Sequence, residues 1–253
     1  MNHEEGYYIY GIIATDQRRE FGPIGIGEHG NVVYTLPCQG LAAVVSRSPI
    51  VKYAVTRDNS IAHARVVETA MQDYTILPVR FCTIAREEED IIEKVLQARH
   101  QEFIDLLGAM EGKIELGVRA RWTDLDAIFA EVVAESKEIQ SMKAALLREK
   151  SDQKKYASKI KIGELVQKAL EEKKKREKEE LIEALKPFSF DCRENILYGD
   201  MNLVNAAFLV TKEMEQAFDH RIQELEAAYG ERKKLKYIGP VAPYNFVEVV
   251  VNW

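Results

Sequence analysis

The hydrophobic pattern along the chain changes period several times, and each change marks an element. Residues 7–13 (YYIYGII) are aromatic and β-branched almost throughout and predict a first strand. A stretch rich in Gly and Pro over 21–30 predicts a loop. Two short apolar runs, 32–36 and 41–46, then flank Pro37-Cys38-Gln39-Gly40 at hairpin spacing. Over 58–74 the period lengthens: His63, Val66, Val67, Ala70, Met71 and Tyr74 recur along one helical face. Residues 75–81 (TILPVRF) predict a returning strand, which Pro78 restricts to an edge or an irregularity. A second helix is predicted over 87–107, with Ile92, Val95, Leu96, Phe103 and Leu106 inward. This first part reads as an antiparallel sheet covered by helices.

The clearest alternation opens the second part. In 113–122, Ile114, Leu116, Val118, Ala120 and Trp122 alternate with Lys113, Glu115, Gly117, Arg119 and Arg121, one face buried and one wet. Thr123-Asp124-Leu125-Asp126 reads as a capping box. It opens a helix whose stripe is Leu125, Ile128, Phe129, Val132, Val133, Ile139, Leu146 and Leu147. A charged segment over 150–186 follows, with apolar stripes only at its ends: Ile162, Leu165, Val166 and Ala169, then Leu181, Ile182 and Leu185. Its middle, 171–180 (EEKKKREKEE), has no apolar residue. A continuous helix here would be ~50 Å long at ~1.5 Å per residue. It is expected to project beyond the fold as a spacer or solubilising arm, its charged middle in solvent.

Strands are predicted over 189–198 and 202–211, joined at Gly199-Asp200, the second apolar on both faces and therefore central. A helix over 212–229 presents Met214, Ala217, Phe218, Ile222 and Leu225, and a last strand over 235–251 is broken by Gly239-Pro240 and Pro243. From residue 113 the order is strand, helices, strand, strand, helix, strand, the split βαβ pattern of a ferredoxin-like fold with one enlarged crossover. The fold class is α+β in two domains. An N-terminal domain covers 1–110, and a C-terminal ferredoxin-like domain covers 111–253, with a helical extension over 124–186.

Composition narrows the partners. Of the 253 residues 46% are apolar and 30% charged, enough for a core, and the net charge of −6 argues against sequence-independent nucleic-acid binding. Apolar runs such as 206–210 and 249–251 fall far short of the ~20 residues of a spanning helix. The opening MNHEEGYYIYG carries acids where a signal peptide carries basic residues. Cys38, Cys82 and Cys192 are odd in number and widely spaced, which points to a reducing cytosol and not to a disulfide framework.

The candidate chemistry is sparse. Gly25-Ile26-Gly27-Glu28-His29-Gly30 spells GxGxxG, but a strand follows it instead of a helix and no acid lies between Gly30 and Asp58, so no cofactor is expected. His3, His29, His63, His100 and His220 share no metal-ligand spacing. His63, on its apolar stripe, reads as a core histidine. Cys82 is open to two readings, a nucleophile with His63 or His100 as base, or a small residue closing a strand. The run over 236–248 (KYIGPVAPYNFVE) combines Gly, Pro and aromatics. It reads either as a bulged terminal strand or as a recognition surface built on the bulge.

Several segments line up with one family. The opening YYIYGII, the strand GLAAVVS, the run TILPVRFCTI, the segment GKIELGVRARW and the terminus YIGPVAPYNFVEVVVNW resemble, in order, the GvpF/GvpL family of gas vesicle proteins. LPVRF followed by Thr83, and GP-x-APYNF, are the most specific pieces, while Cys82 stands where the family pattern has glycine. The resemblance implies a two-domain α+β fold and a non-enzymatic accessory protein needed to build the gas vesicle shell. It also implies association with the main shell protein GvpA and other accessory proteins, on the vesicle and in the cytoplasm, in some members at the gas-facing surface. A ferredoxin-like small-molecule sensor, which requires a deep apolar pocket, and a thiol-dependent enzyme using Cys82 are the alternatives.

A soluble partner of a very hydrophobic shell protein must shield an apolar strand or helix. Two devices suit that: an exposed sheet edge, and the aromatics Tyr237, Tyr244 and Phe246 with Gly239, Pro240 and Pro243 around them. These six residues are the expected protein-interaction site, and no catalytic, cofactor or metal residue is expected.

Overall fold

The computed structural model describes residues 4–27, 31–251 and 253. The chain forms two compact units. The first is Met1–Leu116 with Leu209–Lys212 and Gly239–Trp253, and the second is Gly117–Phe208 with Glu213–Ile238.

The first unit is built on β1 (Glu5–Ala14), β2 (Glu20–Gly22), β3 (Val33–Cys38), β4 (Leu41–Pro49), β5 (Ile76–Pro78) and β6 (Ile84–Ala85). The order is β2-β3-β4-β1-β5, with β6 also on β1. β1 is central and buried over all but its two ends, which is why its sequence shows no polar alternation. A register shift between Ile9 and Gly11 switches its parity. Tyr7, Ile9 and Ile12 therefore share one core, and Tyr8, Tyr10 and Ile13 the other. The β3–β4 hairpin closes through Gln39-Gly40, whose φ values of 52° and 83° are those of a tight two-residue turn.

Helix α1 (Arg57–Met71) starts at Thr56, whose Oγ1 accepts the Asn59 N–H at 3.2 Å, and it buries His63, Val66, Val67 and Ala70 as the spacing predicts. The second predicted helix is divided into α2 (Glu88–Asp90), a π-helical segment Ile91–Gln97 and α3 (His100–Met110). The strand expected over 75–81 is reduced to β5 and one bridge from Val79 to Val249. Pro78 has no N–H to extend a ladder, and the chain turns at Cys82 with φ 64°.

In the second half, β7 (Lys113–Trp122) precedes α4 (Leu125–Glu135), α5 (Lys137–Arg148) and α6 (Asp152–Leu185). Then come β8 (Asp191–Glu194), β9 (Asn202–Thr211), α7 (Glu215–Tyr229) and β10 (Lys233–Val241). The sheet order is β10-β7-β9-β8, with β9 interior and buried along most of its length.

Here the structure departs from the sequence reading at six points. The first α4 cap is Asp124, which accepts the Ala127 N–H at 3.1 Å, while Thr123 donates to the Glu231 carbonyl. The long apolar stripe is two helices, divided at Ser136, whose Oγ accepts the Ile139 N–H. β8 is four residues long, not ten. β10 runs through Gly239-Pro240 and ends at Val241, so the interruption begins at Ala242. Glu115, placed on the wet face by alternation, is buried. The central charged stretch of α6 is not a wholly solvated arm either, because Lys173 and Glu177 are 4% and 5% exposed.

Candidate functional site

The C-terminal segment is held to the first unit at successive points. The buried Glu115 carboxylate accepts the Asn245 backbone N–H at 2.7 Å and the Asn245 side-chain amide at 2.6 Å. The Pro243 carbonyl accepts from Phe246 and Val247 N–H, closing a tight turn. Val249 joins Pro78 and Arg80 through backbone bonds, the Arg80 guanidinium meets Glu248, and Arg99 Nη1 donates to the Val250 carbonyl at 2.8 Å. Charge-assisted bonds of this kind are about twice as strong as neutral ones. They fix a segment that has little regular structure of its own.

On this frame the expected site residues fall into different settings. Pro243 and Phe246 are buried beneath the turn, while Tyr244 is 37% exposed at its tip. Desolvation, with Glu68 and Glu115 nearby, pushes the Tyr244 hydroxyl pKa up. Gly239 and Pro240 are exposed. Gly239 has φ 134°, and a Cβ there would lie 2.9 Å from both the Glu115 carbonyl and Leu116 Cδ2, so only glycine fits. Tyr237 belongs to the second unit: it is half-buried, stacks on Phe218 and donates its hydroxyl to Asp219. Burial and the Asp219 carboxylate both raise its pKa.

Cys82 has partners other than those a thiol enzyme needs. Its Sγ accepts the Tyr53 N–H at 3.2 Å and faces the Val51 carbonyl, and its own N–H donates to the Tyr8 hydroxyl at 2.7 Å. His63 Nδ1 meets that same Tyr8 hydroxyl at 3.1 Å, and His100 Nε2 meets the Gln39 carbonyl. Neither imidazole is therefore paired with the thiol. Burial lowers the His63 pKa to about 4, which leaves it neutral among Tyr8, Tyr10 and Phe81 at ordinary pH. In the glycine-rich loop, Ile26 N–H donates to the Tyr10 hydroxyl and Gly25 N–H to the Asn31 carbonyl. Glu28, His29 and Gly30 of the motif, and His3, lie outside the described residues.

Sequence reasoning missed one constellation entirely. In the second unit Glu177 accepts from Trp122 Nε1 at 2.9 Å, from Arg232 Nη2 at 2.6 Å and Nη1 at 3.0 Å, and pairs with Lys233 at 3.0 Å. Arg232 also forks onto Glu131 at 2.7 and 2.9 Å, and Lys173 bridges Glu135 at 2.6 Å and Glu131 at 3.0 Å. Burial alone would raise the Glu177 pKa, but its bonds to Arg232, Trp122 and Lys233 outweigh it and hold the carboxyl at about 2. Glu131 is held at about 2 chiefly by Arg232. Burial would lower Lys173, yet Glu135 and Glu131 together raise it. The cluster joins α4, α6 and the start of β10 by ion pairs, and β7 through the Trp122 indole N–H. No buried side-chain nitrogen or oxygen lacks a partner among the described residues.

The comparisons agree with one another. The family model for gas vesicle synthesis protein GvpL/GvpF matches residues 6–248. Gas vesicle protein F of a Streptomyces species is 30% identical over 244 residues, covering 95% of this chain and 99% of that one. Gas vesicle protein F of a Nostoc species is 26% identical, covering 96% of this chain and 98% of the relative. The crystal structure of gas vesicle protein GvpF from Anabaena superposes with a TM-score of 0.82 at 24% identity, over 97% of this chain and 99% of that one. That likeness speaks for the fold: mixed α and β, with two antiparallel sheets and a long helix. Among the described residues no helix is long and apolar enough to cross a membrane.

Proposed function

Since the chain belongs to the GvpL/GvpF family of gas vesicle synthesis proteins, we propose that it is a non-enzymatic accessory protein. In this reading it binds the main shell protein GvpA at its C-terminal segment during vesicle formation. The observation that carries the reading is the anchored turn around Tyr244. A half-exposed aromatic on a segment pinned by Glu115, Arg80 and Arg99 loses little conformational freedom on binding. Tyrosine is also among the residue types that dominate interface energetics. Gly239 and Pro240 flank the surface, and Pro243 and Phe246 support it from below. The non-enzymatic reading is supported by the separation of the Cys82 thiol from both candidate bases. The strand order β10-β7-β9-β8, with its helical crossovers, supports a ferredoxin-like reading of the second sheet. A place on the gas-facing surface of the shell, with other gas vesicle proteins as neighbours and the cytoplasm as the site of assembly, follows from the family resemblance.

The test is binding of purified GvpA from the same operon, with immunodetection on intact, stripped and collapsed vesicles. Tyr244→Ala should weaken capture about tenfold with unchanged circular dichroism, and charge reversal at the exposed Lys175 should matter less, and mainly at low salt. Unimpaired capture by Tyr244→Ala would remove the segment from the interface. Loss of capture with Lys175→Glu alone would move the interface to α6.

A further inference from the structure

On β7 and β10 the buried residues Ala120, Trp122, Lys233 and Leu235 share one face of the second sheet, where Trp122 and Lys233 both reach Glu177 of α6. The alternate residues Arg119, Arg121, Lys234 and Lys236 are exposed and belong to the opposite face. Their register follows from two contacts. Thr123 N–H donates to the Arg232 carbonyl, and a Cβ on Gly117 would lie 3.6 Å from Ile238 Cβ. Both give one antiparallel pairing, in which Arg121 stands opposite Lys234 and Arg119 opposite Lys236. Among the described residues none of these four side chains forms an ion pair. Like charges directly opposite each other destabilise a sheet, and a face that serves only to be solvated mixes its signs. Lysines also guard open sheet edges. That accounts for Lys234 and Lys236 on the edge strand β10, but not for Arg119 and Arg121 on the interior strand β7. Beside Arg119 the sheet opens into a cleft of about 370 Å³ walled by Ile196, Tyr198, Asn202 and Asn205. Ile196 and Tyr198 are 71% and 76% exposed. Their backbone is fixed by the floor of the cleft: Asn202 Nδ2 donates to the Tyr198 carbonyl at 2.6 Å, and Asn205 Nδ2 to the Ile196 carbonyl at 3.2 Å.

We propose that this face binds an acidic peptide segment of a partner protein, extended along β7. Its carboxylates, at alternate positions, meet the Arg121–Lys234 and Arg119–Lys236 pairs, and a large apolar side chain enters the cleft. At ~3.3 Å per residue, alternate side chains of an extended segment point the same way ~7 Å apart, which is also the spacing of the two cation pairs along β7. Each arginine offers a carboxylate two parallel donors. The carboxylates remove the cross-strand repulsion that the free face carries. Four cations alone would also suit a nucleic acid. The apolar wall beside Arg119 and the net charge of −6, which repels a polyanion at long range, favour the peptide.

The test is fluorescence anisotropy of the full chain with a short labelled peptide of alternating glutamates that ends in phenylalanine. Binding should saturate and weaken as salt rises. Arg119→Glu with Lys236→Glu should weaken it by roughly tenfold or more. Ile196→Ser with Tyr198→Ser should weaken it too, but should make no further difference once the peptide's phenylalanine is replaced by serine. All four positions are exposed, so neither variant should lower the melting temperature. Tyr244→Ala, which tests the C-terminal surface, should bind this peptide as the parent chain does, so the two readings fail separately. Absence of saturable binding, an equal loss with Tyr244→Ala, or tighter binding of a polythymidine oligonucleotide than of the peptide would each overturn the proposal.

Discussion

In the first unit, the polar groups of one core cluster, set apart from the buried Glu115 carboxylate, are Tyr8, Tyr10, Ser46 and His63, all neutral and each hydrogen-bonded to another. In the second, they are Lys173, Glu177 and Lys233, all charged and mutually paired. Both satisfy the same requirement, that a buried polar group keep its bonds, but they fail differently. A neutral cluster that loses a member leaves one unmet bond, at ~1–3 kcal/mol. An ionic cluster that loses a member leaves uncompensated charge at low dielectric, at ~3–5 kcal/mol. The Lys173–Glu177–Lys233 cluster therefore depends on a few single residues in a way the Tyr8–His63 cluster does not.

The largest effect should come from Glu177, which meets Trp122, Arg232 and Lys233 at once. Glu177→Ala should cost ~3–5 kcal/mol, a fall in melting temperature of order 10 °C. Tyr10→Phe, which removes only a hydroxyl shared by Ser46 and Ile26 N–H, should cost ~1–3 kcal/mol. Equal losses in calorimetry would break the contrast.

The two clusters should also separate by pH. His63 has a folded pKa near 4 against an ordinary value of 6.5. Its neutral form is favoured by folding, so that contribution is whole above about pH 6.5 and is lost as pH falls toward 4, in all ~3 kcal/mol. Glu177 has a folded pKa near 2 against 4.5, so its contribution is whole above about pH 4.5 and is lost only toward pH 2. Hydrogen exchange corrected for intrinsic rate should show β1 loosening in the higher window and α6 in the lower. Both loosening in the same window would contradict the assignment.

What the sequence allowed one to read, and what it hid, follows the same division. The first unit was legible because β1, the β3–β4 hairpin and α1 bury apolar residues, which is what periodicity detects. In α6 the face that begins with Val166 and Leu170 continues through Lys173, Glu177, Leu181 and Leu185. Charged residues at three- and four-residue spacing in line with the apolar stripe were the available signal. They pass for solvated residues when only apolar positions are counted. Glu115 was hidden for a related reason: its partner Asn245 is 130 residues away and donates through its backbone as well as its side chain. Of the expected site, Tyr244 is displayed, but Phe246 is buried beneath it, a distinction the spelling APYNF does not carry.

A smaller effect is expected at Cys82, whose backbone takes a left-handed conformation that favours glycine. A φ of 64° costs an L-residue ~1–2 kcal/mol, which glycine avoids. The Sγ contacts at 3.2 and 3.8 Å return part of that. Cys82→Gly should raise stability by up to ~1 kcal/mol, read as a higher urea midpoint at unchanged slope. Cys82→Val, β-branched and larger, should lower it. A lower midpoint for the glycine variant would mean that the thiol contacts outweigh the strain.

The smallest effect should sharpen the comparison most, because it keeps the residue type, the helix and the neighbourhood nearly constant. Lys173 and Lys175 lie two positions apart in the same charged run, yet their side chains are 5% and 74% exposed. Lys175 reaches only Glu179, at 3.9 Å along the helix surface. Such a pair contributes ~0.3–0.5 kcal/mol and is screened by salt. Lys175→Ala should therefore shift the urea midpoint by less than the experimental error in 0.5 M salt. Lys173→Ala leaves Glu131, Glu135 and Glu177 facing one another with a cation removed, and should cost several times more at any salt concentration. If the two variants melt alike, the charges within α6 act only as a solvated surface, and the ionic core assigned to the second unit does not contribute to its stability.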